Sequence, residues 1–273
     1  IPVLPNQLRR VAKNVQEVIE FYSHIESVRS KLDFEIDGIV VKVNSLKTQE
    51  ELGLIARSPR WATAAKYKPQ QAETVIENII VQVGRTGALT PVAIMKPVKV
   101  GGVVITNATL HNYEEIQRKD VRVGDHVLIQ RAGDVIPEVV SVITEKRNKH
   151  SLPFIPPSHC PDCSSEVVWV SGEVVSRCVN PQCPSILKGA LEHFVSRRAM
   201  NIDKVGERLI NTLVDQKIIN NFSDLYLLNS ETLLNLDRQG EKSVENILNS
   251  INKSKKSTLP RFIFALGIRF VGE

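Results

Sequence analysis

All four cysteines of the chain fall between Cys160 and Cys183. They form two knuckles, Cys160-x2-Cys163 and Cys178-x4-Cys183, with fourteen residues between them. Four thiolates at such spacing suit a closed tetrahedral zinc site, with Cys160, Cys163, Cys178 and Cys183 as ligands. A shell filled by sulfur leaves no open position, so the metal would be structural, holding together about 30 residues that lack a core of their own. The other reading is four buried or disulfide-paired cysteines. They are too few and too clustered for a secreted disulfide scaffold. His159 adjoins the first cysteine, but four sulfurs already complete the shell.

A second set of residues could handle phosphate. The run Asp37-Gly-Ile-Val-Val-Lys42-Val43 places a lysine inside an apolar strand, which is costly unless it meets a negative partner. Lys66 and Lys68 emerge in the same way from Trp61-Ala-Thr-Ala-Ala65. Two lysines at one pocket could neutralise a phosphate. Snorkelling at a strand end explains Lys42 equally well. Strand alternation puts Asp37 and Lys42 on opposite faces, so a shared site would need a bend, with Gly38 as its place.

A third signal is a repeat. IDKVGERLINTLV at 202–214 aligns without gaps on LDRQGEKSVENIL at 236–248, an offset of 34, and IRFVGE starts a third copy at 268. Each copy sets a glycine (Gly206, Gly240, Gly272) just before a helix with an acidic first-turn residue. Glycine allows a positive φ and a close approach, and the free N–H groups of the helix start could hold a DNA phosphate without reading sequence. Arg208 and Lys242 occupy matching positions. A plain helix-turn-helix packing unit is the bland alternative. Two further arginines, Arg85 in QVGRTG and Arg131 in RAGDVIP, sit beside glycines at turns, where ordinary solvated turn chemistry is the simpler account.

The elements that must carry these residues fall into four zones: 1–70, 71–150, 151–190 and 191–273. Leu8, Val11, Val15, Val18, Ile19 and Tyr22 recur at helical spacing, and Ile36 to Val43 reads as a buried strand. Residues 71–150 hold short Val/Ile runs at 75–83, 92–100, 103–106, 127–130 and 135–143, with one short helix near 112–119. Five such strands suggest a small, partly closed barrel of the OB type, with a sandwich as competitor. Pro153, Pro156, Pro157 and Pro161 bar a helix from the next zone. The last zone is helical.

Composition bounds the rest. The 273 residues carry 35 Lys+Arg against 30 Asp+Glu, a net charge of +5 spread over the zones with no polybasic arm. Nucleic-acid contact would therefore come from placed residues and backbone. No run of 18 apolar residues exists, so no membrane is expected as partner. Neither an initiator Met nor a signal pattern is present, which suggests a fragment or processed chain in the cytoplasm.

Together these motifs resemble the bacterial NAD-dependent DNA ligases. The likeness runs through FEIDGIVVKVNS (34–45), SPRWATAAKYKP (58–69), VQVGRTGALTPVA (81–93), NATLHNYEEI (107–116), RAGDVIP (131–137), the four cysteines and HFVSRRAMNID (193–203). The resemblance implies a multidomain α+β fold. Residues 1–70 would end a nucleotidyltransferase (adenylation) domain, 71–150 would be an OB-fold barrel, 151–190 a four-cysteine zinc finger, and 191–273 a helix-hairpin-helix domain. Asp37, Lys42 and Lys66 match the family's fourth and fifth nucleotidyltransferase motifs around the adenylate, so they are the expected catalytic residues, Lys42 and Lys66 also binding the NAD-derived nucleotide. Arg29 and Arg60 fall where the family has functional arginines. Arg85, Arg131, Gly206, Arg208, Gly240 and Lys242 would face DNA.

The implied reaction seals 5′-phosphate/3′-hydroxyl nicks in double-stranded DNA, in replication and repair. A lysine takes AMP from NAD, AMP passes to the 5′-phosphate, and the 3′-hydroxyl displaces it. Mg²⁺ (or Mn²⁺) and structural Zn²⁺ are the implied metals, and a monomer near the nucleoid is expected. Two departures stand out. The nucleophile belongs to a Lys-x-Asp-Gly motif, yet the only Asp-Gly here is Asp37-Gly38, preceded by Glu35. This stretch alone is thus not expected to adenylate itself, and a non-enzymatic zinc-stabilised DNA-binding module is the alternative. Lys204 also stands where the family often has glycine in the first hairpin.

Overall fold

A computed structural model of the chain describes residues 8–55, 58–131, 136–169, 172–237 and 240–272. The expected DNA-facing segment at 131–137 and the second repeat's Arg238 and Gln239 lie partly or wholly outside them. Two units separate, one made of 1–78, 93–109 and 121–152, the other of 79–92, 110–120 and 153–273.

The first helix, α1 (Val15–Val28), begins later than the apolar spacing from Leu8 predicts. Asn14 stops it, because its side chain accepts from Glu17 N (2.9 Å) while the Glu17 carboxylate receives Lys13 N (3.0 Å). That exchange satisfies first-turn donors that another turn of helix would otherwise hold. Strand β1 (Gly38–Lys42) follows, then α2 (Leu46–Leu52), capped by Ser45. A short pair β2 (Leu54–Ile55) and β3 (Ser58–Pro59) leads to β4 (Ala62–Lys66). β1 and β4 pair antiparallel, Gly38 opposite Lys66 and Lys42 opposite Ala62. The expected buried strand is instead a half-covered one, with Val40 62% exposed. A two-stranded sheet has only one neighbour per strand, so an apolar run by itself does not bring burial.

Strands β5 (Gln70–Val83), β6 (Leu89–Val100), β7 (Val103–Thr109), β8 (His126–Arg131) and β9 (Glu138–Val142) close a barrel in the order β5-β6-β7-β9-β8. Closure decides for the barrel against the sandwich, since it removes the open edges a sandwich keeps. Helix α3 (Tyr113–Lys119) lies between β7 and β8 in sequence, close to its expected place, with Asn112 as its cap. The turn into β8 is set by Asp125, which is fully buried. Its carboxylate accepts from Arg122 N (2.8 Å) and from Arg147 Nε and Nη2 (2.8 Å each). A buried carboxylate is tolerated only with such pairing.

Residues 150–157 contain no helix, as the prolines require. A small ribbon follows, β10 (Val167–Trp169) with β11 (Ser176–Cys178). Then come α4 (Pro184–Val195), α5 (Glu207–Asp215), α6 (Ser230–Leu234), α7 (Glu241–Ser254) and α8 (Leu259–Ala265). Helices α5 and α7 start at the same point of the two repeat copies. They bury one face each around Leu191, Phe194, Ile210, Leu213, Leu233 and Ile247.

Candidate functional site

The four cysteine sulfurs all lie within 4.8 Å of one another. Cys160 and Cys183 Sγ are 3.9 Å apart, and Cys163 and Cys178 Sγ 3.5 Å. A Zn–S bond of about 2.3 Å at the tetrahedral angle requires sulfurs about 3.8 Å apart, so the four sulfurs stand close to a tetrahedral zinc shell. No disulfide joins them. The Ser165 hydroxyl beside Cys163 draws that thiol down to about 6, and burial pushes Cys178 up to about 12. A bound zinc ion would override both and hold the sulfurs of Cys160, Cys163, Cys178 and Cys183 as thiolates. His159 is outside the cluster, its ring Nδ1 lying 3.0 Å from Ser158 Oγ.

The ribbon does not stand alone. Cys160, Cys178 and Cys183 share an apolar cluster with Leu89, and Val81, Val83 and Ile186 pack against it. Ala88, at the tip of the β5–β6 hairpin, bridges antiparallel to Arg177 on β11. Cys178 N donates to Gly87 O (2.9 Å). Gly87 has φ +78°, and a Cβ there would lie 2.1 Å from Cys178 O. Glycine is therefore required at this contact for both conformation and room.

Among the nucleotidyltransferase-type residues, the β1/β4 register brings Asp37 and Lys66 together. Lys66 Nζ donates to Asp37 Oδ2. This bond and the lysine's charge hold the Asp37 carboxyl below the ordinary carboxylate value. Tyr67 N donates to Asp37 O (2.8 Å), continuing the ladder, and Tyr22 Oη donates to Lys66 O (2.9 Å). Arg29 stands over the Tyr67 ring, 5.5 Å from its centre, and shares a cleft of about 330 Å³ with Asp37 and Glu35. Lys42 is not brought to this pair. It lines a separate cleft of about 710 Å³ with Ile39, Val41 and Phe34. Asp37 and Lys42 thus line different concavities, although the consecutive residues Gly38 to Val43 all border the one that Lys42 lines. Arg60 is exposed, its N–H on Gly53 O (3.1 Å).

Arg85 is exposed at the hairpin tip and its Nη1 donates to Gly267 O (3.4 Å). Its backbone packs on Gly189 of α4, where a Cβ would come 2.9 Å from Arg85 Cβ. Arg131 ends β8, its side chain 16% exposed and 3.9 Å from Glu35.

In the repeats, Gly206 and Gly240 cap α5 and α7, and the expected positive φ is absent: they adopt −102° and −105°. The left-handed residue comes two positions earlier, at Lys204 (φ 69°) and at the matching Phe270 (φ 65°). Helix entry requires an extended cap, so the turn must reverse before the glycine rather than at it. A Cβ at Gly206 or Gly240 would meet nothing within 4 Å. Neither cap has a side-chain acceptor, a lack they share with α4 and α8, whereas Asn14, Ser45, Asn112 and Asn229 cap α1, α2, α3 and α6. Arg208 and Lys242 are exposed as the second residues of α5 and α7. Arg177 and Glu173 escaped the sequence reading, because nothing local marks a partner 91 residues away.

Comparison with known proteins assigns the first three parts. Residues 2–70 match the family described as NAD-dependent DNA ligase adenylation domain, 73–151 its OB-fold domain, and 159–184 its C4 zinc finger domain. A DNA ligase of Bdellovibrio bacteriovorus is 65% identical over 99% of this chain and 40% of its own length. DNA ligases of Syntrophus aciditrophicus and Bacillus subtilis are 53% and 48% identical, each over 98% of this chain and 40% of their own length. The chain thus spans about two fifths of the relatives it matches. With its adenylation-type sheet, closed barrel and four-cysteine cluster in that order, the chain belongs to the NAD-dependent DNA ligase family.

Proposed function

We propose that this chain is the nick-sealing portion of an NAD-dependent DNA ligase acting on nicked duplex DNA. The observation that carries the reading is the Asp37–Lys66 pair, set across β1 and β4 beside Arg29. In the joining step the 3′-hydroxyl attacks the 5′-phosphate and AMP leaves, and charge builds on the phosphate oxygens. Lys66 supplies positive charge there, with Asp37 holding it in place, and Lys42 reaches the nucleotide from its own cleft. Mg²⁺ would add a second positive centre.

Residues 1–70 contribute this chemistry, 71–150 and 191–273 grip DNA, and 151–190 brace them around zinc. The glycine-capped starts of α5 and α7, with Arg208 and Lys242, are read as helix-hairpin-helix phosphate sites, and Arg85 and Arg131 as backbone contacts of the barrel. Cytoplasmic replication and repair, as a monomer, is the setting that suits them.

The test is Lys66→Ala in the full-length ligase. Sealing of a pre-adenylated nick should fall at least about a hundredfold with zinc content unchanged. Unchanged sealing removes Lys66 from the site. The stretch itself, which has no Lys-x-Asp-Gly, should form no AMP adduct from NAD by mass spectrometry. Salt-dependent binding of nicked duplex without any role for Asp37 or Lys66 in sealing would favour a plain DNA-binding module.

A further inference from the structure

We infer that Arg177, on the zinc ribbon, is a positioning residue for the barrel's hairpin tip, residues 84–87, an assignment that rests on the reading of Arg85 as a DNA contact. Outside the strand ladder, the tip closes on itself through two backbone bonds among the described residues, Gly84 N to Ala88 O (2.9 Å) and Gly87 N to Gly84 O (2.8 Å). Neither bond engages the Thr86 carbonyl between them. Arg177 Nη1 does so, donating to Thr86 O (3.0 Å) and lying 3.1 Å from Thr86 Oγ1. The same guanidinium donates through Nε to Glu173 Oε2 (2.7 Å), and its side chain is 14% exposed.

Three features make this a fixture rather than a passing surface contact. Arg177 is held from behind by a carboxylate, so its fork is aimed before Thr86 arrives. Its backbone bridges Ala88, which sets the distance to the tip. The Glu173 carboxylate is itself pinned from a second side by Arg269 Nη2 (2.8 Å). A tip so held delivers the Arg85 backbone at one place, against Gly189. Of the five N–H donors of Arg85, one bonds Gly267 O among the described residues, and a fork of five has donors to spare for a phosphate. Arg177 thus acts on DNA through Thr86 and Arg85 rather than by touching it. A lysine lacks the planar fork that fixes Thr86 and Glu173 in set directions.

The experiment uses full-length ligase and a nicked duplex ending in a 3′-dideoxynucleotide, so that binding is read without sealing. Affinity is measured at several salt concentrations for Arg85→Ala, Arg177→Ala, Arg177→Lys and the double alanine variant, with zinc per chain measured on each. Arg85→Ala should weaken binding about tenfold and lower the salt slope by about one. Arg177→Ala should weaken it about fivefold with zinc retained, and by less than about twofold more in the Arg85→Ala background. Arg177→Lys should resemble Arg177→Ala. Equal losses in both backgrounds, full rescue by lysine, which would mean a direct charge contact, or loss of zinc from Arg177→Ala would each overturn the inference. Unaltered affinity in Arg85→Ala would instead remove the reading of Arg85 on which it stands.

Discussion

Replacing Gly87 by alanine tests the junction between ribbon and barrel hairpin. At φ +78° an alanine costs about 1 kcal/mol more than glycine. Its Cβ would sit 2.1 Å from Cys178 O, on backbone rather than a yielding side chain, so the two strands must part. Parting them forfeits the Cys178 N to Gly87 O bond, about 1 kcal/mol net, and loosens the apolar cover of the cysteines. The smaller entropy of the unfolded alanine chain returns a few tenths. A net cost of about 2 kcal/mol corresponds to a roughly thirtyfold rise in the open population of the metal site. The assay is the rate of zinc transfer from full-length protein to a coloured chelator. Gly84→Ala is the control: its φ is not positive and its nearest atom, Ala88 O, is 3.6 Å from the new Cβ, so its rate should stay within about twofold of the parent. If Gly87→Ala released zinc no faster than Gly84→Ala, the claim that ribbon and hairpin form one ladder would fail.

Other outcomes follow from the same geometry. Arg147→Met leaves the buried Asp125 carboxylate with Arg122 N alone among the bonds described above, and should cost about 3 kcal/mol in urea unfolding. The Asp37 carboxyl should titrate below its ordinary value of 3.8 by NMR, and move up in Lys66→Met. Because folding lowers that value, the pair's contribution to stability is complete above the ordinary carboxylate range and vanishes as pH falls through the lowered one. Stripping zinc should open the β10–β11 ribbon, seen as loss of amide protection across 167–169 and 176–178, including the Val167 N to Ser158 O and Cys178 N to Gly87 O bonds, while the helical core around Ile210 and Ile247 persists.

The parts legible in sequence were those written in local pattern. Cysteine spacing gave the metal cluster, turn-punctuated Val/Ile runs gave the barrel, and the 34-residue offset gave the paired starts of α5 and α7. What eluded it depended on partners distant in the chain. The late start of α1 was in principle readable from Asn14 and Glu17, but apolar spacing alone overran it. The Asp37–Lys66 pairing needs the β1/β4 register, which no local rule supplies. The fusion of ribbon and hairpin joins Ala88 to Arg177 across the intervening barrel strands in sequence. The misplaced left-handed turn, at Lys204 and Phe270 instead of the glycines, came from treating glycine as a conformational signal where the cap is extended and opens onto free space.

That open space has a consequence for local motion. A helix whose first turn lacks a side-chain acceptor frays more readily than one closed by asparagine or serine. α5 and α7 should therefore exchange their opening amides with solvent faster than α3 or α6 does. A phosphate seated at Gly206 or Gly240 would supply the missing acceptor and slow that exchange. Hydrogen exchange at Glu207–Arg208 and Glu241–Lys242 then becomes a built-in gauge of occupancy, able to report each repeat separately.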